Sequence, residues 1–205
     1  MKYFLGVLTL IKNEGNLIKE WLNHYKNLGI DIFYLYDNDS NDNFDKDEYI
    51  INFIKSNNVV LKKVTGRIKQ EDFYNEEVSH IKHECKWLLI VDIDEFLYSP
   101  HDYNLKEKLK TKYNKYSQVV IPWFIFSAKP NIHDPKSVVK SNLYRIGFNY
   151  DKSSRCKSII KTNKVIFTRV HIHRCHATVL CDPKMTKIDT NRHRGLHRFK
   201  LNDTY

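Results

Sequence analysis

The chain has 205 residues, of which 41% are hydrophobic and 13% aromatic, and it carries a formal net charge of +10. This length suits one domain with a full three-layer core, and the composition excludes an intrinsically disordered chain. The charge favours an anionic partner, namely a nucleotide sugar, a nucleic acid or an anionic membrane surface. The longest apolar run is far shorter than the roughly 18 residues of a membrane-spanning helix.

Strand and helix patterns alternate through the first half of the chain. We predict strands at residues 3–11, 32–36, 59–64 and 87–91 and helices at residues 16–28, 45–56 and 71–85, with Gly29 closing the first helix. Four successive strand–helix steps indicate an α/β fold with a mostly parallel central sheet, right-handed crossovers and flanking helices. The apolar start is read as the first core strand because Lys12 follows it instead of a small-residue cleavage site.

The second half is less regular. Residues 118–126 predict a strand pair or one long strand, 157–173 carry further strand patterns, and the tail is polar and basic. We therefore expect a single domain at 1–181, with a regular half at 1–99 and a less regular half at 100–181, followed by a basic tail at 182–205. Four cysteines without a CxxC pair favour reduced thiols and a cytoplasmic protein, with peripheral contact to the inner membrane face as an open alternative.

The most informative motif is Asp92-Ile93-Asp94, which directly follows an apolar strand. Ligands of open α/β sheets bind beyond the carboxyl ends of such strands, and Mg²⁺ or Mn²⁺ is commonly held by one or two carboxylates plus substrate phosphates. The motif therefore predicts a site for a divalent cation. Two alternatives stay open: the acids cap a helix, or they are the catalytic pair of a haloacid-dehalogenase-type phosphatase, which normally stands on the first strand.

A basic stretch at 152–174 lacks acids and ends in a group of histidines and cysteines. Its net charge keeps a nucleic-acid-binding module as an alternative, although no recognisable nucleic-acid-binding motif accompanies it, so we expect no nucleic-acid partner. The group His171, His173, Cys175, His176 and Cys181 contains zinc-type ligands, but its spacing is not that of a zinc finger.

Several blocks, taken jointly and in this order, resemble glycosyltransferase family 92 and related family 2 enzymes. They are LIKNE at 10–14, WLNHYKNLGI at 21–30, FYLYDNDS at 33–40, Gln70 with Tyr74 and Asn75, WLLIVDIDEFL at 87–97, Pro122-Trp123 with Phe126, and KSII at 157–160. The resemblance implies a GT-A fold, a nucleoside-diphosphate sugar as donor, and Mn²⁺ or Mg²⁺ bridging its diphosphate. It makes 1–99 the nucleotide-binding half of the domain and 100–181 the acceptor-facing half. The implied reaction is transfer of a hexose, most simply from a UDP-sugar and with inversion, to a glycan or lipid-linked acceptor.

The resemblance also implies roles for individual residues. Asp94 is the first choice as direct metal ligand, Asp92 as a contact to ribose or the metal, and His171, with His173 second, as a later metal ligand. Donor-binding residues are expected at Thr9, Lys12, Asn13, Glu14, Asp37, Asn38, Gln70, Asp92 and Lys157. As an alternative, the acid-rich loop at 37–42 only shapes a turn and caps a helix.

The acceptor side is less determined by the sequence. An inverting transfer needs a base near the acceptor hydroxyl, for which Asp134 and Asp151 are the candidates. Trp123 is predicted to pack its aromatic face against the acceptor sugar, although a buried core tryptophan fits the same position.

Overall fold

The computed structural model describes residues 1–98, 104–122, 124–127, 137–142, 144–145, 156–168, 174–175, 178–181 and 187–188. Its strands are β1 Tyr3–Ile11, β2 Ile32–Asn38, β3 Val59–Val64, β4 Cys85–Ile90, β5 Gln118–Pro122, β6 Phe126–Ser127, β7 Tyr144–Arg145, β8 Cys156–Lys161, β9 Val165–Phe167, β10 Arg174–Cys175, β11 Thr178–Cys181 and β12 Lys187–Ile188. Its helices are α1 Gly15–Asn27, α2 Glu48–Ser56, α3 Gln70–Ile81, α4 Leu105–Lys110 and α5 Val138–Ser141, with 3₁₀ turns at Phe44–Lys46 and Thr162–Lys164.

The central sheet has the strand order β12-β11-β5-β8-β4-β1-β2-β3. Strands β4, β1, β2 and β3 are adjacent in the sheet and all parallel. Strand β8 lies between β4 and β5 and is antiparallel to both. The chain builds outward from β1 to β2 and β3, and then returns to place β4 on the other side of β1. This reversal is a topological switch point, and it opens a crevice beyond the carboxyl ends of β1 and β4.

Both faces of the sheet are covered by helices, which gives the three layers expected from the chain length. One core cluster joins β1 and β4 to α1, α2 and α4, and the second joins the opposite face to α3. The residues of β4 are buried on both faces apart from the half-buried Lys86, as the apolar sequence predicted. The predicted α/β class, with its mostly parallel sheet and flanking helices, is therefore confirmed.

The end of α1 follows its predicted form. Gly29 has a left-handed φ of 83°, its N–H donates to the carbonyl of Lys26, and the N–H of Ile30 donates to the carbonyl of Tyr25. This pair of hydrogen bonds is the Schellman motif, in which glycine adopts positive φ without a steric penalty. It turns the chain directly into β2.

Two predicted helix boundaries are wrong. The helix predicted at 45–56 is a 3₁₀ turn followed by α2, because Asp47 is extended and its carboxylate caps α2 by accepting from the N–H groups of Tyr49 and Ile50. The helix predicted to reach residue 85 ends at Ile81, since Cys85 pairs with Tyr3 of β1 and so belongs to β4. The long strand considered for 118–126 is instead β5 and β6, and β6 pairs with β7.

Over the part of the chain that the structure describes, none of the helices combines the length and apolar character needed to cross a bilayer.

Candidate active site

An irregular acidic segment, residues 91–97, follows β4 and is called the acidic turn below. Its first N–H, that of Val91, still donates to the carbonyl of Leu8 in β1, so the segment leaves the sheet at the switch point. Ile93 is fully buried, which anchors the middle of the segment, whereas Asp94 lies at the surface and Asp92 is partly exposed. The two aspartates thus stand on either side of an apolar anchor at the mouth of the crevice.

Lys157 enters this site from the neighbouring strand β8. Its Nζ lies 2.7 Å from Oδ2 of Asp92 and 3.2 Å from Oε2 of Glu95, and its side chain is 5% exposed. The register of the antiparallel pair, Ile90 opposite Ser158, brings Lys157 beside the start of the acidic turn. Glu95 also accepts a hydrogen bond from the backbone N–H of Asp92 at 2.9 Å. Lys157 therefore cross-links two acids, and its role in donor binding stays a prediction.

Three carboxylates of the site, those of Glu95, Asp94 and Glu14, lie in an environment that raises their pKa values. Burial raises the pKa of Glu95 to about 7, although Lys157 partly offsets the effect. Loss of solvent around Asp94 raises its pKa, and the adjacent charge of Asp92 adds to this shift. Burial likewise raises the pKa of Glu14, which feels the charges of Asp94 and Asp92 from the loop after β1. The acids of two loops therefore form one electrostatic cluster.

The loops after β1 and β2 are fastened to each other. Asn13, at a left-handed φ of 57°, donates from its N–H to Oγ of Ser40 at 3.0 Å and accepts at Oδ1 from the N–H of Asn41 at 2.8 Å. Asp42 accepts from the N–H of Gly15 at 2.8 Å. Asp37 accepts from the N–H of Ser40 at 2.9 Å, so it does shape a turn, as the alternative interpretation held. A role of Asp37 in nucleoside binding stays a prediction.

Three buried polar atoms near the carboxyl ends of the strands have no hydrogen-bond partner among the described residues. They are Oγ1 of Thr9, Oδ1 of Asn38 and the hydroxyl of Tyr74. The cost of such a group is about 1–3 kcal/mol, so each is a candidate to bind a ligand. Burial raises the pKa of the Tyr74 phenol, and the charges of Asp92, Glu95 and Glu14 raise it further, which places this hydroxyl close to the acidic cluster.

The remaining predicted site residues divide into two groups. Lys12 is exposed in the loop after β1, and Gln70 is the half-buried first residue of α3. Five predicted residues lie outside the described part of the chain: Trp123, Asp134, Asp151, His171 and His173. The same holds for the side chains of the histidine and cysteine group considered for zinc.

The residues at the crevice fit a divalent cation of the Mg²⁺ or Mn²⁺ type. Within the described ranges no set of three or more His, Cys, Asp and Glu side chains forms a metal site of protein ligands alone. Such cations, however, commonly use one or two carboxylates and complete their shell with water and substrate phosphate. Asp94 and Asp92 supply these oxygens, and the mutual repulsion that raises the pKa of Asp94 is what a cation would relieve. The metal roles of these residues stay predictions.

Sequence reasoning assigned no part in the site to Glu95 or Tyr74. Glu95 directly follows the Asp-x-Asp motif. A third acid next to Asp92 and Asp94 is a signal that was available in the sequence. Tyr74 belongs to one of the blocks that carry the family resemblance, but its proximity to Asp92 could not be predicted, because it arises only when α3 packs across the sheet.

Comparison with known proteins gives a family and several distant folds. The profile of glycosyltransferase family 92 matches residues 9–201. A family 92 protein of Ricinus communis is 28% identical over 114 residues, which are 55% of this chain and 20% of that protein. One of Arabidopsis thaliana is 32% identical over 102 residues, covering 49% of this chain and 17% of that protein. The matched segments therefore span about a fifth of these curated relatives.

Among solved structures, residues 1–349 of S. aureus TarS in complex with UDP align with 79% of this chain and 47% of that chain, at 15% identity and a TM-score of 0.49. The predicted GT-A fold is confirmed by the doubly wound arrangement around β1 together with the family match. Because the family profile covers nearly the whole chain, this protein belongs to glycosyltransferase family 92.

Proposed function

We propose that this protein is a metal-dependent glycosyltransferase that moves a hexose from a nucleoside-diphosphate sugar, most simply a UDP-sugar, to a glycan or lipid-linked acceptor with inversion. The observation that carries the proposal is the acidic turn at the switch point between β1 and β4. This crevice is where open α/β sheets bind nucleotides. Membership of the family supports glycosyl transfer over the phosphatase alternative.

Charge explains why a cation is required. Among the described residues, four carboxylates lie together at the crevice, those of Glu14, Asp92, Asp94 and Glu95, and the Lys157 ammonium pairs with two of them, Asp92 and Glu95. A diphosphate would be repelled by this cluster unless a cation lay between them. A bound Mn²⁺ or Mg²⁺ would supply Lewis-acid stabilisation of the leaving nucleoside diphosphate.

The chain's own residues divide the remaining work. Lys157 pairs with the carboxylate of Asp92 and fixes its direction, and Asp94 presents the outermost carboxylate. The buried side-chain oxygens of Thr9 and Asn38, which have no partner within the described residues, lie on the strands that lead into the crevice and suit the hydroxyls and N–H groups of a nucleoside. We assign the base to Asp134 or Asp151 and the acceptor platform to Trp123 as proposals.

The acceptor and the place of action are also proposals. The half-buried Lys161 and the exposed Lys164 belong to the basic stretch and lie toward the amino-terminal edge of β4, where Lys161 is opposite Trp87. Positive charge at this edge, away from the crevice, suits contact with the anionic inner face of a membrane that carries a lipid-linked acceptor. A cytoplasmic enzyme in peripheral contact with the membrane is the arrangement that we favour.

A screen of nucleotide sugars tests the proposal. We expect one or a few UDP-hexoses to be hydrolysed slowly in Mn²⁺ or Mg²⁺ without added acceptor, and to raise the melting temperature of the protein. A ligand at a hundred times its Kd stabilises by about 2.7 kcal/mol, which is readily measured by thermal unfolding. EDTA is the control and should remove both effects. If no nucleotide sugar is hydrolysed or stabilises the fold with any divalent cation, the proposed activity is wrong.

A further inference from the structure

Helix α1 contacts the acidic turn through three side chains on one face. Trp21, His24 and Tyr25 stand at helical spacing, and Trp21 and Tyr25 are fully buried. Each of them hydrogen-bonds to the backbone of the turn and not to its carboxylates. The carboxylates of Asp92 and Glu95 therefore remain paired with Lys157, while α1 holds the backbone of the turn.

The contacts satisfy four backbone groups. Nε1 of Trp21 donates to the carbonyl of Asp92 at 3.2 Å, and the hydroxyl of Tyr25 donates to the carbonyl of Glu95 at 3.0 Å while accepting from the N–H of Leu97 at 3.2 Å. Nε2 of His24 lies 2.8 Å from the carbonyl of Leu97. Since a carbonyl only accepts, this nitrogen carries the proton, and burial lowers the pKa of the ring so that the neutral form is favoured.

A turn without regular secondary structure needs such partners for its backbone, because buried N–H and C=O groups are otherwise costly. Ring packing reinforces the arrangement. The rings of Trp21 and Tyr25 are 4.6 Å apart, and His24 meets Phe96 of the turn edge to face at 5.3 Å. One helix face therefore fixes the turn at its start, middle and end.

We infer that Trp21, His24 and Tyr25 are positioning residues that hold the acidic turn in the geometry its carboxylates need to bind a divalent cation and a nucleoside diphosphate. The inference rests on the proposed function. Sites of this kind require their ligands to be held within about 0.5 Å, and loss of an outer-shell partner typically costs about 10–100-fold in affinity. The three residues act through the backbone and do not touch the reacting atoms.

The test compares Tyr25→Phe with Tyr34→Phe. Both variants remove one phenolic hydroxyl from a buried tyrosine, but Tyr34 donates to Glu84 at the opposite, amino-terminal edge of the sheet. We expect Tyr25→Phe to lose more thermal stability than Tyr34→Phe, because the Tyr25 hydroxyl makes two hydrogen bonds to the backbone and the Tyr34 hydroxyl makes one to a side chain. Calorimetric titration of UDP in Mn²⁺ should show about a tenfold weaker Kd for Tyr25→Phe and less than about a twofold change for Tyr34→Phe. His24→Ala, which changes a half-buried residue, is the second variant and should weaken UDP binding in the same direction.

Hydrogen exchange separates failure of this inference from failure of the proposed function. If the wild type binds neither UDP nor another nucleoside diphosphate in Mn²⁺, the proposed function is wrong, but the amide of Leu97 should still exchange faster in Tyr25→Phe than in the wild type or in Tyr34→Phe. Unchanged exchange across the acidic turn in Tyr25→Phe would show that α1 does not hold it. Equal UDP affinity in the wild type, Tyr25→Phe and His24→Ala would show that holding it does not matter for binding.

Discussion

Asp94→Asn is expected to weaken Mn²⁺-dependent binding of UDP by about a hundredfold or more, while leaving the fold intact. The substitution keeps the shape of the side chain and removes the charge of the outermost carboxylate at the crevice. A direct ligand should cost at least as much as an outer-shell partner, whose loss costs about 10–100-fold. Because the charge of Asp92 contributes to the raised pKa of Asp94, removing one of the two charges also relieves repulsion. The melting temperature without metal should therefore be unchanged or slightly higher.

The matched control for this variant is Glu84→Gln, which removes the same charge from an exposed residue just before β4, at the other edge of the sheet. Its amide oxygen can still accept the hydrogen bond that Tyr34 donates. Calorimetry of UDP in Mn²⁺ should give wild-type affinity for this control. If Asp94→Asn also retains wild-type affinity, Asp94 is not a ligand of the bridging cation.

Lys157→Met is expected to destabilise the protein by about 3 kcal/mol, measured by urea unfolding in EDTA at pH 8. The substitution keeps an apolar stem of similar length but leaves Asp92 and Glu95 without their cation. Removing one partner of a buried ion pair costs about 3–5 kcal/mol, and the partial exposure of Asp92 puts this case at the lower end. Lys19→Met is the control: its pair with Asp47 is as short, at 2.6 Å, but Lys19 is 50% exposed, so its loss should cost under about 1 kcal/mol.

The deficit of Lys157→Met should shrink as the pH falls. Lys157 lowers the pKa of Glu95, so its removal raises that pKa above the wild-type value of about 7. Near pH 5 Glu95 is largely protonated in both folded proteins, and only the unpaired Asp92 remains to penalise the variant. At pH 8 Glu95 is ionised in the wild type and must either protonate or stay buried and charged in the variant. A deficit that is equal at pH 5 and pH 8 would mean that Glu95 does not depend on Lys157.

The first half of the fold was predictable because its signals are local. Alternating apolar runs and helical spacing locate β1 to β4 and the helices between them, and Gly29 marks the end of α1 by its backbone freedom. The two boundaries failed for different reasons. Cys85 is extended because it pairs with the distant Tyr3, which the residues around Cys85 do not reveal. The start of α2 depends on a local signal that the prediction missed, since the carboxylate of Asp47 caps the helix by accepting from the N–H groups of Tyr49 and Ile50.

The part of the candidate site that could be predicted is the part that depends on local sequence signals. The position of Asp92 and Asp94 directly after an apolar strand predicts the site. The carboxyl ends of parallel strands meet at one edge of the sheet, so the loops after β1 and β2 are also expected there. The cross-link from Lys157 to Glu95 depends on the antiparallel register of β8 against β4, which the sequence does not specify. The hydrogen bonds from α1 to the acidic turn were missed because Trp21 and Tyr25 read as ordinary core aromatics.

Titration of UDP into EDTA-treated wild-type protein, with and without added Mn²⁺, tests the central claim most directly. The claim is that a nucleoside diphosphate reaches this acidic crevice only through a bridging cation. We expect micromolar to millimolar binding with Mn²⁺ and at least about a hundredfold weaker binding without it, since the cation must offset repulsion from the carboxylates around Asp94. Equal affinity in the presence and absence of Mn²⁺ would contradict the account.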